Sequence, residues 1–134
     1  LGLEKIKTIG DSYMVAAGIP EPNPEHAKTL VEMAMKMMKY FEDMEPIEGE
    51  NIAIRIGIHS GPVVAGVIGK KKFTYDLWGG TVNTAARMES HGISGAIHLS
   101  ATTAALIEDN YRLESRGVSE IKGKGPMETY LLKP

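Results

Sequence analysis

The sequence predicts an α+β fold in which one sheet carries helices packed on one face. Three observations carry that expectation. Ile52, Ile54, Ile56 and Ile58 alternate with Ala53, Arg55, Gly57 and His59, the period-two pattern of a half-buried strand. Ala27, Leu30, Ala34, Met37, Met38 and Phe41 recur at helical spacing and mark a long amphipathic helix. Short strand-like runs elsewhere are joined by turn signals and mixed with further helical stretches, and no linker is long enough to separate two domains. A chain of 134 residues suits one domain with one core, at roughly 100–200 residues per domain.

The elements follow in order. Leu3 to Ile9 and Ser12 to Ala17 read as strands, with Gly10-Asp11 between them as a hairpin signal. Pro20, Pro22 and Pro24 break extended structure, and Asn23-Pro24 suits an N-cap and first helical position. The long helix ends before Pro46, and five of the eight Met residues lie between Met33 and Met44, where they serve as flexible core filler. After the isoleucine strand, Ser60-Gly61-Pro62 turns the chain into a strand from Val63 to Ile68, and a short strand runs from Phe73 to Trp78. Gly79-Gly80 leads into a helix over Thr81 to Ser90. Ile97 to Leu99 forms a strand, and Ser100 caps a short helix through Ile107. Two closing strands, Tyr111 to Arg116 and Thr129 to Leu132, flank a Gly123-Lys124-Gly125-Pro126 turn.

Composition excludes several kinds of chemistry. With no Cys there is no disulfide, no thiolate nucleophile and no Cys-based zinc site. Lys and Arg total 15 against 17 Asp and Glu, a formal net charge of -2, so no duplex nucleic acid or anionic membrane is expected as partner. No apolar run approaches the roughly 20 residues that span a bilayer. Gly61 and Gly66 have the separation of a P-loop, but Val67 stands where its Lys should be. His26, His59, His91 and His98 are scattered without metal-ligand spacing and read as surface or strand-end residues.

Polar residues in awkward places are more informative. Asp76 lies inside Phe73-Thr74-Tyr75-Asp76-Leu77-Trp78, where a strand-interior carboxylate flanked by aromatics needs a partner or ligand. Asn83 and Arg87 stand four apart on an otherwise small and apolar helix, so they project from one face. Asp11, at a hairpin tip, reads on its own as a turn former. Lys70, Lys71 and Lys72 follow Gly69, and Lys122 and Lys124 bracket Gly123; two such basic loops and one helix Arg suit a polyphosphate better together than singly.

Four segments resemble, in order, motifs of class III nucleotidyl cyclases. Lys5-Ile6-Lys7-Thr8-Ile9-Gly10-Asp11-Ser12-Tyr13-Met14 is similar to their metal-binding hairpin, and Ile56-Gly57-Ile58-His59-Ser60-Gly61-Pro62-Val63-Val64-Ala65-Gly66 to their central strand pair. Tyr75 to Glu89 resembles the base-recognition strand and transition-state helix, and Lys122-Gly123-Lys124-Gly125 the C-terminal phosphate turn. The resemblance implies a ferredoxin-like sheet and attack of a ribose 3′-hydroxyl on the α-phosphate of the same nucleotide, assisted by two divalent ions, Mg²⁺ or Mn²⁺. It implies Asp11 as a metal ligand, Arg87 as the stabiliser of phosphoryl charge, and Asn83 as the group that orients the ribose. It further implies Lys122, and less directly Lys71, on the phosphates.

Lys7 and Asp76 match the family's base readers. Lys only donates and ionised Asp only accepts, which suits the N1 acceptor and N6 amino donor of adenine. A guanine reader would carry the opposite polarity. ATP is therefore the expected substrate and adenylate cyclase the expected activity, with guanylate cyclase, a non-catalytic regulatory half and a plain interaction module as rivals. The family's first strand and helices have no counterpart before Leu1, so residues 1–134 are expected to be the C-terminal two-thirds of one catalytic domain, poorly active alone. The working form is expected to be a head-to-tail homodimer, or a pairing with a homologous cyclase domain. The segment is expected in the cytoplasm, without membrane contact of its own, whether or not the parent protein is membrane-anchored.

Overall fold

The computed structural model describes residues 3–9, 12–18, 24–45, 49, 54–62, 64–68, 74–78, 80–121 and 123–132. In chain order the elements are β1 (Leu3–Ile9), β2 (Ser12–Ala17), α1 (His26–Glu42), β3 (Ile56–Ile58), β4 (Val64–Ile68), β5 (Thr74–Trp78), α2 (Gly80–Ser90), β6 (Ile97–Ser100), α3 (Ala101–Ile107), β7 (Glu114–Ile121) and β8 (Gly125–Leu132). The α+β class is as expected. Among the described residues the strands form a four-stranded sheet, ordered β3-β6-β8-β7, and two antiparallel pairs, β1-β2 and β4-β5.

The four-stranded sheet is mixed. β3 runs parallel to β6, with Ile56 opposite Ile97 and Ile58 opposite Leu99, while β6-β8 and β8-β7 are antiparallel. Period-two alternation along β6 sends Ile97 and Leu99 to one face and His98 to the other. On the first face Ile58, Ile97, Leu99 and Leu132 meet Ile107 of α3 and the Ala27, Val31, Ala34 and Met38 stripe of α1. Of the methionines between Met33 and Met44, Met38 is the one in this buried cluster, with Met35 packed against it. Each large aliphatic side chain buried here contributes about 1.5–3 kcal/mol.

The expectation that the helices share one face holds for α1 and α3. Helix α2 crosses the opposite face, and Gly57 is the reason it can approach. A β-carbon at Gly57 would lie 2.0 Å from the Glu89 amide nitrogen and 2.4 Å from the Met88 carbonyl carbon. Backbone therefore packs on backbone, and α2 is clamped further by an ion pair between Arg55 Nε and Glu89 Oε2 at 2.5 Å.

Several boundaries differ from the sequence expectation. Pro24 lies in a turn and Glu25 occupies the N-cap of α1, so the helix starts two residues beyond Pro24. The Thr29 amide and hydroxyl both donate to the Glu25 carbonyl, at 2.9 and 3.0 Å. Among the described residues the isoleucine run forms β3 over Ile56–Ile58, where its partner β6 begins at Ile97; the Ile54 carbonyl accepts instead from Gly95 at 2.8 Å. Ile52, Val63, Phe73 and Gly79 lie outside the described residues.

Both closing strands are longer than expected: β7 starts and ends later than Tyr111 to Arg116, and β8 starts earlier than Thr129 and ends, as expected, at Leu132. Tyr111 donates its amide to the Ile107 carbonyl at 3.2 Å, so it closes α3 instead of opening a strand. β7 is an edge strand whose residues from Glu114 to Val118 are exposed, which removes the alternation that sequence reading relies on. Pro126 falls inside β8, opposite Glu120; β6 pairs with β8 only from Thr129 onward, so no ladder bond is lost to its missing N–H.

Candidate functional site

Helix α2 presents the two catalytic candidates that the structure describes with their side chains. Thr84 and Met88 form its buried stripe, and Asn83 and Arg87 form the neighbouring stripe, about 100° round the axis. Asn83 is exposed and Arg87 is half-buried. Side chains four apart on a helix have β-carbons roughly 5–6 Å apart, so a carboxamide and a guanidinium can reach adjacent groups of one ligand. Such a pair suits a sugar oxygen beside a phosphate.

The start of α2 is tied to two loops. The Thr84 hydroxyl donates back to the Gly80 carbonyl at 2.9 Å, and Lys124 Nζ donates to the same carbonyl at 3.4 Å. The Thr81 hydroxyl donates to the Pro62 carbonyl. The Gly123-Lys124-Gly125 turn thereby sits beside the N-terminal end of the helix, with Gly123 and Gly125 at φ +79° and +78°, conformations that glycine adopts without strain. Sequence reading grouped Lys124 with Lys122 as a basic loop; its contact with the start of α2 is what the structure adds.

The other expected site residues are placed by backbone or not at all. Lys7 lies in β1 opposite Met14, just beyond a register irregularity between Lys5 and Lys7. Asp76 lies in β5 opposite Gly66. β1 runs beside β5, and β5 leads into α2, so the strands of Lys7 and Asp76 and the helix of Asn83 and Arg87 are neighbours. Asp11, Lys71 and Lys122 lie outside the described residues. Among the described residues no group of three or more His, Asp or Glu is placed to hold a metal ion.

Histidine placement corrects the sequence reading at one position. His59 follows β3 directly, as a strand-end residue should, and its Nδ1 lies 2.6 Å from the Ser100 hydroxyl. Burial holds its pKa below the usual histidine value, and the positive charge of Lys124 adds to the effect. His98 is no surface residue: it is 1% exposed, in the middle of β6. Its Nδ1 lies 2.7 Å from the Met88 carbonyl of α2. Burial depresses its pKa, against the opposing pull of that carbonyl, and Arg116 and His91 lower it further. The signal available in the sequence was its position between Ile97 and Leu99, two strand residues that both proved buried.

Comparison with known proteins names a family for this arrangement. All 134 residues match the family model of the adenylate and guanylate cyclase catalytic domain. The chain is 50% identical over 130 residues to the rat soluble guanylate cyclase subunit beta-2, covering 96% of this chain and 19% of the relative. It is 43% identical over 131 residues to an adenylate cyclase of Mycobacterium tuberculosis, covering 98% of this chain and 30% of the relative. The chain thus spans less than a third of the length of these curated relatives. A solved catalytic core of a rhodopsin-guanylyl cyclase with converted specificity, in complex with ATPalphaS, superposes with a TM-score of 0.88 at 44% identity, covering 98% of this chain and 72% of that one.

Proposed function

Because this chain belongs to the adenylate and guanylate cyclase catalytic domain family, we propose that it serves to convert ATP into 3′,5′-cyclic AMP and pyrophosphate. The observation that carries the choice of ATP is the pair Lys7 and Asp76 at the base-reading positions, on neighbouring strands β1 and β5. A Lys donor meets adenine N1 and an Asp acceptor meets the N6 amino group, whereas guanine would set donor against donor and acceptor against acceptor. The superposed cyclase core with converted specificity holds an ATP analogue, which supports adenine as a base this scaffold accommodates. The rat guanylate cyclase relative favours the rival reading, GTP as substrate, on overall identity alone.

In the reaction a bond forms between the ribose O3′ and the α-phosphorus while the bond from that phosphorus to the β-bridging oxygen breaks. The 3′-hydroxyl proton passes to water or phosphate, and pyrophosphate leaves. The Arg87 guanidinium stabilises the charge that gathers on the phosphoryl oxygens, a contribution worth about 10²–10³ in rate for one well-placed donor. Asn83 holds the ribose so that O3′ faces the phosphorus. Lys122 and Lys71 bind the outer phosphates. Two divalent ions, Mg²⁺ or Mn²⁺, would neutralise phosphate charge, and Asp11 is the hard oxygen donor of this chain suited to hold them.

The working unit in this reading is a head-to-tail pair with shared sites, either a homodimer or a pairing with a homologous cyclase domain. Lys7 and Asp11 stand four residues apart on one hairpin, yet base and triphosphate lie at opposite ends of the nucleotide. A two-fold interface lets Lys7 serve one site and Asp11 the other. The test is product analysis of the intact protein with ATP and GTP in parallel, in Mg²⁺ and in Mn²⁺. Cyclic AMP as the dominant product supports the proposal. Dominant cyclic GMP overturns the base assignment, and absence of both products supports the regulatory reading.

A further inference from the structure

The last turn of α2 ends on carbonyls that the helix itself cannot satisfy. Arg87 O accepts from the His91 amide at 2.9 Å and Glu89 O from the Gly92 amide at 3.0 Å. Met88 O, between them, accepts from a different element: the ring of His98 on β6, at 2.7 Å. The other ring nitrogen, Nε2, lies 3.3 Å from Arg116 Nη1, and that same Nη1 donates to the His91 carbonyl at 2.7 Å. A guanidinium does not lose its proton, so Nε2 accepts and Nδ1 carries the hydrogen. One neutral tautomer satisfies both contacts.

Arg116 reaches this position through a β-bulge. Ser115 pairs with Tyr130 and Gly117 with Thr129, leaving Arg116 as the extra residue on β7. Gly117 takes φ +74°, and its amide donates to the Ser115 hydroxyl at 3.0 Å. Bulges of this kind re-aim a side chain, and here the guanidinium is turned under the end of α2.

We infer that His98 and Arg116 are positioning residues that fix the helix carrying Asn83 and Arg87, and that turnover requires His98 to stay neutral. The inference rests on the cyclase reading above and adds a pH dependence to it. A protonated ring would present an N–H at Nε2 to a guanidinium that can only donate, placing two cations in contact. Around His98, β7 contributes Arg116 and the turn after α2 contributes His91, both unfavourable to a positive ring. Its strand neighbours on β3 and β8 are Gly57 and Leu131, which carry no charge, and Glu89 of α2 is engaged with Arg55.

The test uses the intact protein with His98→Ala, His98→Asn and Arg116→Lys. His98→Ala is expected to lower kcat about tenfold or more with KM within about twofold, as a misplaced catalytic helix would. His98→Asn keeps an N–H for Met88 O and cannot titrate, so it is expected to recover kcat to within about threefold of wild type and to lose one ionisation from the acid limb of the pH profile. Arg116→Lys, with a single point donor, is expected to fall between them. An unchanged acid limb in His98→Asn would overturn the inference.

A second readout does not depend on turnover. Imidazole nitrogen resonances of labelled protein are expected to show His98 protonated at Nδ1 alone near neutral pH, and its titration is expected to shift the side-chain signals of Asn83 and Arg87. A protonated Nε2 at neutral pH, or silent Asn83 and Arg87 signals, would overturn the inference even in an active enzyme. Failure to make cyclic nucleotide with these signatures present would instead count against the cyclase reading alone.

Discussion

Gly57 and Glu89 stand backbone to backbone: a β-carbon on residue 57 would lie 2.0 Å from the Glu89 amide nitrogen. The site helix therefore sits at a height that only glycine permits. Gly57→Ala is expected to destabilise the protein by about 3 kcal/mol or more, because the obstructing atoms are backbone and cannot rotate away. Gly80→Ala is the matched control, since its new β-carbon meets only Lys124 Nζ at 3.6 Å. It is expected to cost less than about 1 kcal/mol. Urea unfolding of both variants measures the difference, and equal losses would contradict the close approach.

Acidification provides a second prediction. His59 and His98 both have pKa values lowered in the fold, chiefly by burial. The unfolded chain thus binds protons more readily than the native one, so their contribution is complete above about pH 6.5 and is lost as pH falls through the lowered native values. Unfolding free energy measured in urea is expected to fall between pH 7.5 and pH 5, and to fall less in His98→Asn. A wild-type slope that persists unchanged in that variant would assign the effect to other groups.

Ser100 joins α3 to His59. Its hydroxyl accepts the Thr103 amide at 3.4 Å as the helix N-cap, and it lies 2.6 Å from His59 Nδ1. Ser100→Ala is expected to cost about 0.5–2 kcal/mol, the range for loss of a cap, and Ser100→Asp less than Ser100→Ala. Thermal or urea unfolding decides the order; an Asp variant weaker than the Ala variant would show that the buried surroundings outweigh the cap.

The shared-site arrangement predicts complementation. Full-length Asp11→Ala and Arg87→Ala are each expected to be nearly inactive, since under the proposed arrangement each site would take one of these residues from each chain. With free exchange half of the dimers are mixed and hold one good site of two, so about a quarter of wild-type activity should return on mixing. No recovery despite confirmed subunit exchange would contradict the arrangement.

What the sequence made legible follows from how each residue is buried. Strands β1 and β2 were read to the residue because Gly10-Asp11 separates two short strand-like runs, and α1 was found, though not its first residue, because Ala27, Val31, Ala34 and Met38 keep one apolar stripe. The edge strand β7 was misplaced because its exposed residues carry no pattern to read. The side of the sheet taken by α2 was also invisible, because it is decided by an absent side chain at Gly57. Asn83 and Arg87 could be found from spacing on a helix, whereas the His98–Arg116 clamp depends on a bulge and on contacts between residues 18 apart in sequence. Periodicity reports neither.

Exchange of Lys7 and Asp76, the proposed base readers, tests the central claim most directly. In the full-length protein, Lys7→Glu with Asp76→Cys should replace the adenine-matched donor and acceptor by groups of guanine polarity. Each mismatch is expected to cost about 1–3 kcal/mol toward ATP, or roughly 10–200-fold in kcat/KM. Steady-state kinetics with ATP and GTP are expected to show the preference for ATP eroded or reversed, while Arg87→Ala lowers turnover of both nucleotides alike. An ATP preference left unchanged in the double variant would show that Lys7 and Asp76 do not read the base.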